Sequence, residues 1–398
     1  MKPLSDQPTF SSPVDVVREL HPLLKANTSE AERERRLPDT VADAMRQRGL
    51  YRMWRPKAFG GLELDPMTVF RIIEEISRFD SAAGWNLQLS CALDPFGAWF
   101  PDEGAQEIFG DSEAILAGAF FPFRRAVPVD GGYRITGQTP FVSGAHQAAW
   151  FFGLAQVFDD DQMAPRLGGN GEPMTLITAC PSREAVILDT WRTLGMRGTG
   201  SHDVRMIDVF VPMRRTALLA PLEKPGIAYG GPLYRLTIWA SVAVLAPPAV
   251  GIARAAIEAL LDLAAKKTPA YAAKSLKDGS TIQMAIGQVE AILGAARAYL
   301  YEALEEVWNA ALQGRTIDMA GKIKMQLAAT HAVTAAAQVV DLVHAAAGAS
   351  GIRDEYPFQR CFRDAHTITQ HAYICASRYE SVGQLLLGVP VEWPFFTL

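Results

Sequence analysis

Between Gly131 and Gly144 the chain reads GGYRITGQTPFVSG. The Gly131-Gly132 pair marks a turn, and Tyr133-Arg-Ile-Thr alternates apolar and polar residues as a half-buried strand does. This is a period of two in a chain whose other long stretches repeat at three to four, so it marks a change of architecture. Strand character persists beyond it. Ala148 to Phe158 and Met174 to Ala179 are apolar and β-prone, and Val204 to Val211 alternates again. Asp159 to Pro173, acidic and Gly-rich, reads as an exposed hairpin loop. Residues from about Gly118 to Ala220 therefore predict a central antiparallel β domain.

Both flanks read as helix. From Val14 to about Arg52, Val16, Val17, Leu20, Leu23 and Leu24 recur at three- and four-residue spacings, and Leu37-Pro38-Asp39 opens a second amphipathic stretch. After Pro56 and Gly60-Gly61, another helix sets Val69, Ile72, Ile73 and Ile76 on one face. Ser81 to Leu93 is small and apolar, as a helix buried in a bundle would be. On the far flank, Pro221 to Pro232 reads as a linker. Ala-rich helices are predicted after it over Ile238–Ala265, Gln283–Gln313, Met319–Ala347 and Phe362–Leu387. Helices this long form an antiparallel bundle. The chain is thus mostly α with a central β domain: residues 1–117 an N-terminal helical domain, 118–225 the β domain, 226–398 a four-helix bundle.

Composition narrows the function. The 398 residues are 49% hydrophobic and 20% charged with a net charge of −5, a globular balance without the basic field that nucleic acid or anionic lipid needs. The four cysteines (Cys91, Cys180, Cys361, Cys375) form no CxxC pair, which argues against a zinc site or disulfide framework and fits a reducing cytoplasm. Met1 to Pro13 lacks the apolar core of a signal peptide. The apolar run Ile238–Ile252 is interrupted by Ser241 and Pro247-Pro248, too short and too broken to span a bilayer. No metal site and no membrane partner are expected, and no GxGxxG loop follows a strand to hold a nicotinamide.

The order helices, β domain, long bundle resembles the acyl-CoA dehydrogenase superfamily, and local signatures agree along most of the chain. These are Pro56-Lys-Ala-Phe-Gly-Gly61 with Glu74-Glu75, Gly132-Tyr-Arg-Ile-Thr-Gly137 with Phe141-Val-Ser-Gly144, and Trp191-Arg-Thr-Leu-Gly-Met-Arg-Gly-Thr-Gly-Ser201. Gly348-Ala-Ser-Gly351 with Arg363-Asp364-Ala365 completes the set. The resemblance implies a bound flavin. Ser143 would offer a hydroxyl to the ring, with Gly144, Trp191 and Arg197 beside the cofactor; Gly348 and Gly351 would let backbone approach the flavin of a neighbouring subunit. It also implies a homotetramer, a dimer of dimers. The apolar tail Val391–Leu398 is expected to pack against another helix or another subunit.

The scaffold supports two reactions, so the site must decide between them. A dehydrogenase needs a carboxylate base. Alignment on Arg363-Asp364-Ala365 puts Ala372 where the family's Glu stands, and the alternative position on the first bundle helix falls on Ser241; neither can accept a proton at neutral pH. The region reads His366-Thr-Ile-Thr-Gln-His371-Ala-Tyr373 instead. This resembles the two-component flavin-dependent monooxygenase branch, whose members take reduced FAD or FMN from a separate NAD(P)H-dependent flavin reductase. They add O2 at the flavin C4a and hydroxylate or epoxidise an aromatic substrate. His371 matches the branch's active-site histidine and Tyr373 a tyrosine found in part of it. On a continuous helix His366 would stand about 140° away from His371. Trp85, Leu93 and Phe121 are expected to line the substrate pocket. Leu93 occupies the position of a second histidine in the phenol hydroxylases, which makes the indole and indole-acetate oxygenases the preferred subgroup, with an indole-type substrate expected over a phenol. The competing reading is an atypical acyl-CoA dehydrogenase with its base displaced, to Asp94 or Glu380 for instance. A flavin-free scaffold is a third.

Overall fold

The structure, a computed structural model, describes residues 13–397 apart from 160–161, 170, 270–273 and 392. The polar lead-in Met1–Ser12 lies outside the described residues, as does part of the predicted 159–173 loop, of which Leu167 and Pro173 form an antiparallel bridge.

Five helices come first: α1 (Pro13–Glu34), α2 (Asp39–Gln47), α3 (Pro66–Phe79), α4 (Ser81–Leu93) and α5 (Asp102–Phe109). α3 starts where Asp65 accepts from the Thr68 N–H at 2.9 Å and Pro66 takes the first helical position. α4 starts in the same way, with Asp80 accepting from the Ala83 N–H. The stripe Val69, Ile72, Ile73 and Ile76 is buried against the later bundle, and α4 is buried on nearly every side.

Eight strands follow: β1 (Leu116–Gly118), β2 (Arg124–Val129), β3 (Gly132–Val142), β4 (Trp150–Val157), β5 (Thr175–Pro181), β6 (Val186–Leu188), β7 (His202–Pro212) and β8 (Thr216–Leu218). They form one sheet in the order β6-β7-β3-β2-β4-β5-β8, with β1 on β4. The sheet is mixed rather than purely antiparallel. β1 and β2 both pair parallel with β4, and β2 pairs antiparallel with β3 on its other edge. β3 pairs with β7 through two register shifts, the second between Thr139 and Val142. At that bulge Phe141 adopts φ 63°, and the strand end is turned so that Ser143 leaves the sheet toward the helices.

The C-terminal part holds α6 (Ile238–Ala243), α7 (Pro247–Lys266), α8 (Ser280–Leu312), α9 (Met319–Ala347), α10 (Phe358–Ile368) and α11 (Ser377–Leu387). Two of the four predicted helices are interrupted. Ile238–Ala265 breaks at 244–246, where Pro247 and Pro248 can only open a new helix. Phe362–Leu387 breaks over 369–376. There the β-branched run Thr367-Ile368-Thr369 lowers helix propensity, Thr367 and Thr369 turn their hydroxyls onto the Arg363 and His366 carbonyls, and the bonds tighten to Gln370 N–H→Thr367 O and His371 N–H→Ile368 O. By length and apolarity 238–266 and 319–350 could each cross a bilayer, but 89% of the first window is buried inside the protein, as a core helix would be.

A candidate flavin and substrate cavity between sheet and bundle

One cavity of about 730 Å³ opens where α4, the ends of β3 and β7, α6 and the α10–α11 turn converge. Its wall on the sheet side is built from hydroxyls and aromatic rings. Ser143 accepts from the Trp85 indole N–H at 3.1 Å and shares a 2.6 Å bond with Ser201, and Ser201 shares another of 2.6 Å with Thr199. Thr199 donates to the Met196 carbonyl at 2.8 Å, which also accepts from Trp191 Nε1 at 3.0 Å. Trp191 meets Phe141 edge-on at 6.1 Å. The backbone of Trp191 is held by His202, whose Nδ1 accepts from the Thr190 and Trp191 N–H groups while Nε2 donates to the Arg35 carbonyl. Burial keeps His202 below its ordinary pKa, consistent with a neutral ring. Gly195 fits against α10 because a Cβ there would sit 2.2 Å from the Arg363 carbonyl oxygen. Asp364 ties the same loop to α4, accepting from the Met196 N–H at 2.5 Å and from the Ser81 hydroxyl at 2.6 Å.

The opposite wall comes from the interrupted helix. Because α10 ends at Ile368, His366 and His371 do not diverge around a helix as predicted; both line the cavity. His366 pairs with Asp341 at 2.8 Å. His371 Nδ1 accepts from the Tyr373 N–H at 3.4 Å, so the proton of the neutral ring sits on Nε2. Its ring lies edge-on to Trp85 at 5.5 Å, and burial lowers its pKa to about 4. The Tyr373 hydroxyl is buried and has no partner among the described residues, and burial raises its pKa well above normal. The tail closes this end within the same chain. Phe395 packs on Tyr373 at 4.7 Å, Phe396 stands against Trp239, and Lys322 donates to the Phe396 carbonyl.

Of the residues singled out by sequence, Trp85, Leu93, Phe121, Ser143, Trp191, His371 and Tyr373 all line this one cavity. Gly144, at φ 71°, lies just behind it, with the Asn86 side chain beside its Cβ position. Arg197 is elsewhere, in a narrow crevice with Glu32 and Asp364. Gly348 and Gly351 are also remote, at the C-terminal end of α9, where Lys267 reaches Ser350. Sequence reasoning missed Thr199 and Ser201, although both fall inside the quoted 191–201 motif, and it missed Phe141 and Phe395. Ala372 and Ser241 do reach the cavity, and Ser241 donates to the Ala92 carbonyl. Among the described residues no Asp, Glu, Lys or Arg lines it. Asp94 is locked to Arg55 under α4, and Glu380 lies on the exposed side of α11.

Residues 16–99 match the acyl-CoA dehydrogenase N-terminal domain and residues 243–375 its C-terminal domain. The chain belongs to the acyl-CoA dehydrogenase family. Its relatives lie on the flavin-dependent monooxygenase branch. The indole-3-acetate monooxygenase of Pseudomonas putida is 34% identical over 97% of this chain and 95% of its own. The oxygenase component of the FADH(2)-dependent resorcinol hydroxylase of Rhizobium sp. is 26% identical over 92% and 90%. Among solved structures, XiaF from Streptomyces sp., in complex with FADH2 and glycerol, superposes with a TM-score of 0.87 at 28% identity over 96% of both chains.

Proposed function

We propose that this protein is the oxygenase component of a two-component flavin-dependent monooxygenase. It would use reduced FAD or FMN from a separate NAD(P)H-dependent reductase to oxygenate an uncharged aromatic of the indole type. The observation that carries the proposal is the cavity wall at 366–373: a neutral imidazole stands beside Ala372, and among the described residues no carboxylate is within the lining. The displaced-base dehydrogenase loses support with it, since Asp94 and Glu380 both lie outside the cavity.

The residues present fit a flat, partly polar ring. Phe141 and Trp191 offer aromatic faces, Ser143 a buried hydroxyl, and the far wall a buried tyrosine hydroxyl without a partner among the described residues. Ser143, Gly144 and Trp191 would hold the flavin within one chain. In a homotetramer Gly348 and Gly351 would serve the site of a neighbouring copy, with Arg197 bracing the loop beneath the ring. When bound, the reduced flavin supplies the activated oxygen. His371 holds its proton at Nε2 and can donate to a substrate heteroatom or accept a proton from one. Tyr373 orients the substrate, and Phe121, Leu93 and the tail exclude water.

Among the described residues no Lys or Arg lines the cavity, which narrows the substrate class. A carboxylate placed here would lose its hydration without a guanidinium or ammonium to replace it, and His366 is already taken by Asp341. Indole-like rings without a charge suit the cavity better than indole-3-acetate.

The test is to mix chemically reduced flavin, O2 and indole with the protein and quantify oxygenated indole against hydrogen peroxide. Oxygenated product in proportion to O2 consumed is the expected result. Peroxide alone, together with anaerobic reduction of bound flavin by an acyl-CoA, would overturn the reading.

A further inference from the structure

The hydroxyl chain on the sheet-side wall has ends of fixed polarity. At one end an indole N–H can only donate, so Trp85 Nε1 gives its proton to Ser143 Oγ. At the other a carbonyl can only accept, so the Thr199 hydroxyl gives its proton to Met196 O at 2.8 Å. Between them lie two oxygen–oxygen contacts of 2.6 Å, each of which requires one proton. Only one ordering fills every contact: Ser143 donates to Ser201, Ser201 to Thr199, and Thr199 to Met196. The reverse order leaves Thr199 and the Met196 carbonyl facing each other as two acceptors. The two oxygens stand 2.8 Å apart, which leaves no room for a water between them to repair the break. In the favoured order Ser143 has spent its single proton and turns a lone pair toward the cavity.

We infer that Ser201 and Thr199 are positioning residues that make Ser143 an acceptor, so that the pocket prefers a ligand bringing a proton to it. This rests on the proposed flavin site. Of the two redox states of a flavin, the reduced ring carries hydrogen on N5 and the oxidised ring presents a bare lone pair there. Reduced flavin satisfies Ser143 as it stands, whereas oxidised flavin can be satisfied only by reversing the chain and giving up the Thr199–Met196 bond. The wall thereby selects the redox state that a separate reductase delivers and favours release of the spent one.

The measurement is the ratio of dissociation constants for oxidised and reduced flavin, taken anaerobically by fluorescence titration of the full-length protein. Ser201→Ala frees the Ser143 proton to face the cavity, and Thr199→Val removes the bond that opposes reversal. Each should lower the oxidised-to-reduced Kd ratio about fivefold, roughly one neutral hydrogen bond. For a two-electron couple that is a fall of about 20 mV in the potential of bound flavin relative to free flavin. Thr199→Ser keeps both bonds and should keep the wild-type ratio. A defect of folding or packing would weaken both redox states together, so equal loss for both in Ser201→Ala and Thr199→Val overturns the inference. If the wild-type protein binds neither state, the flavin site itself is refuted.

Discussion

The two walls of the cavity are built on opposite terms. On the sheet side every hydroxyl is engaged: Trp85, Ser143, Ser201, Thr199 and Met196 form a closed series whose members position one another. On the bundle side, among the described residues, the Tyr373 hydroxyl has no partner and the His371 ring takes one long hydrogen bond, from the Tyr373 N–H at 3.4 Å. A wall whose protons are all spent is a rigid bed with one lone pair, that of Ser143, left to meet a donor. A wall with polar groups left over is set to meet something that arrives, because a buried unpaired group costs about 1–3 kcal/mol until it is met. The proposed function would put the cofactor on the first wall and the substrate against the second.

The sharpest way to break this division is at His371. If the bundle wall acts on the substrate, His371→Ala should lower oxygenated product per O2 consumed by about 100-fold or more, with hydrogen peroxide rising in its place. Affinity for reduced flavin should be nearly unchanged, since the opposite wall is untouched. Loss of flavin affinity in parallel with product would mean that His371 belongs to the cofactor bed, and the comparison would fail.

The next effect tests the missing charge. Indole-3-acetamide and indole-3-acetate match in shape and differ in charge. With no Lys or Arg in the described lining, the amide should have a kcat/KM about 100-fold above the acetate, the scale set by burying an unpaired charge. Comparable values for the two would show that a cation reaches the site from outside these residues.

The same contrast governs what the sequence could disclose. The sheet wall was legible because its signals are local: a glycine turn, strand alternation and the Phe141-Val-Ser-Gly144 motif lie within fourteen residues of one another. The bundle wall depends on where a helix stops. Alanine-rich flanks argue for continuity through Phe362–Leu387, and the break at 369–376 depends on threonine hydroxyls returning to their own backbone, a weak preference that tertiary packing has to complete. The fate of the tail was equally hidden. Its apolar character required a partner, but the partner turned out to be Trp239 and Tyr373 of the same chain, which no spacing could specify. Thr199 and Ser201 were visible within a motif, yet their roles need the oxygen–oxygen distances. The parallel strands went unforeseen because alternation reports a half-buried face and not the direction of the neighbour.

His371 also gives the bundle wall a pH signature. Burial takes its pKa from 6.5 to about 4, so between those values the unfolded chain binds a proton there that the folded chain refuses. Stability therefore rises with pH across that window, is complete above about 6.5, and is lost as pH falls toward 4. The full displacement is worth about 3 kcal/mol. Denaturant midpoints at pH 5 and pH 7 should differ less in His371→Asn than in the wild type, while the slopes due to His21, His146 and His202, lowered by burial as well, remain in both. An unchanged difference would mean that water in the cavity solvates the imidazole. Turnover in the wild type should show no inflection from this group between pH 6 and 8, because the ring stays neutral throughout.

The smallest effect separates a scaffold residue from a working one by sign. The Tyr373 hydroxyl is unpaired among the described residues, while its ring is wedged among His371, Trp393 and Phe395. Tyr373→Phe keeps the ring and deletes the unsatisfied group. The free protein should become more stable by about 1 kcal/mol, seen as a higher denaturant midpoint at constant slope. The substrate then loses the partner that the hydroxyl was held ready to provide, and KM for an indole should rise about fivefold with little change in flavin affinity. Gain in one quantity and loss in the other is what a group kept unsatisfied for its ligand produces. A variant that is destabilised with KM unmoved would show that the hydroxyl is already satisfied within the fold, and the bundle wall would then be as fully spent as the sheet wall opposite.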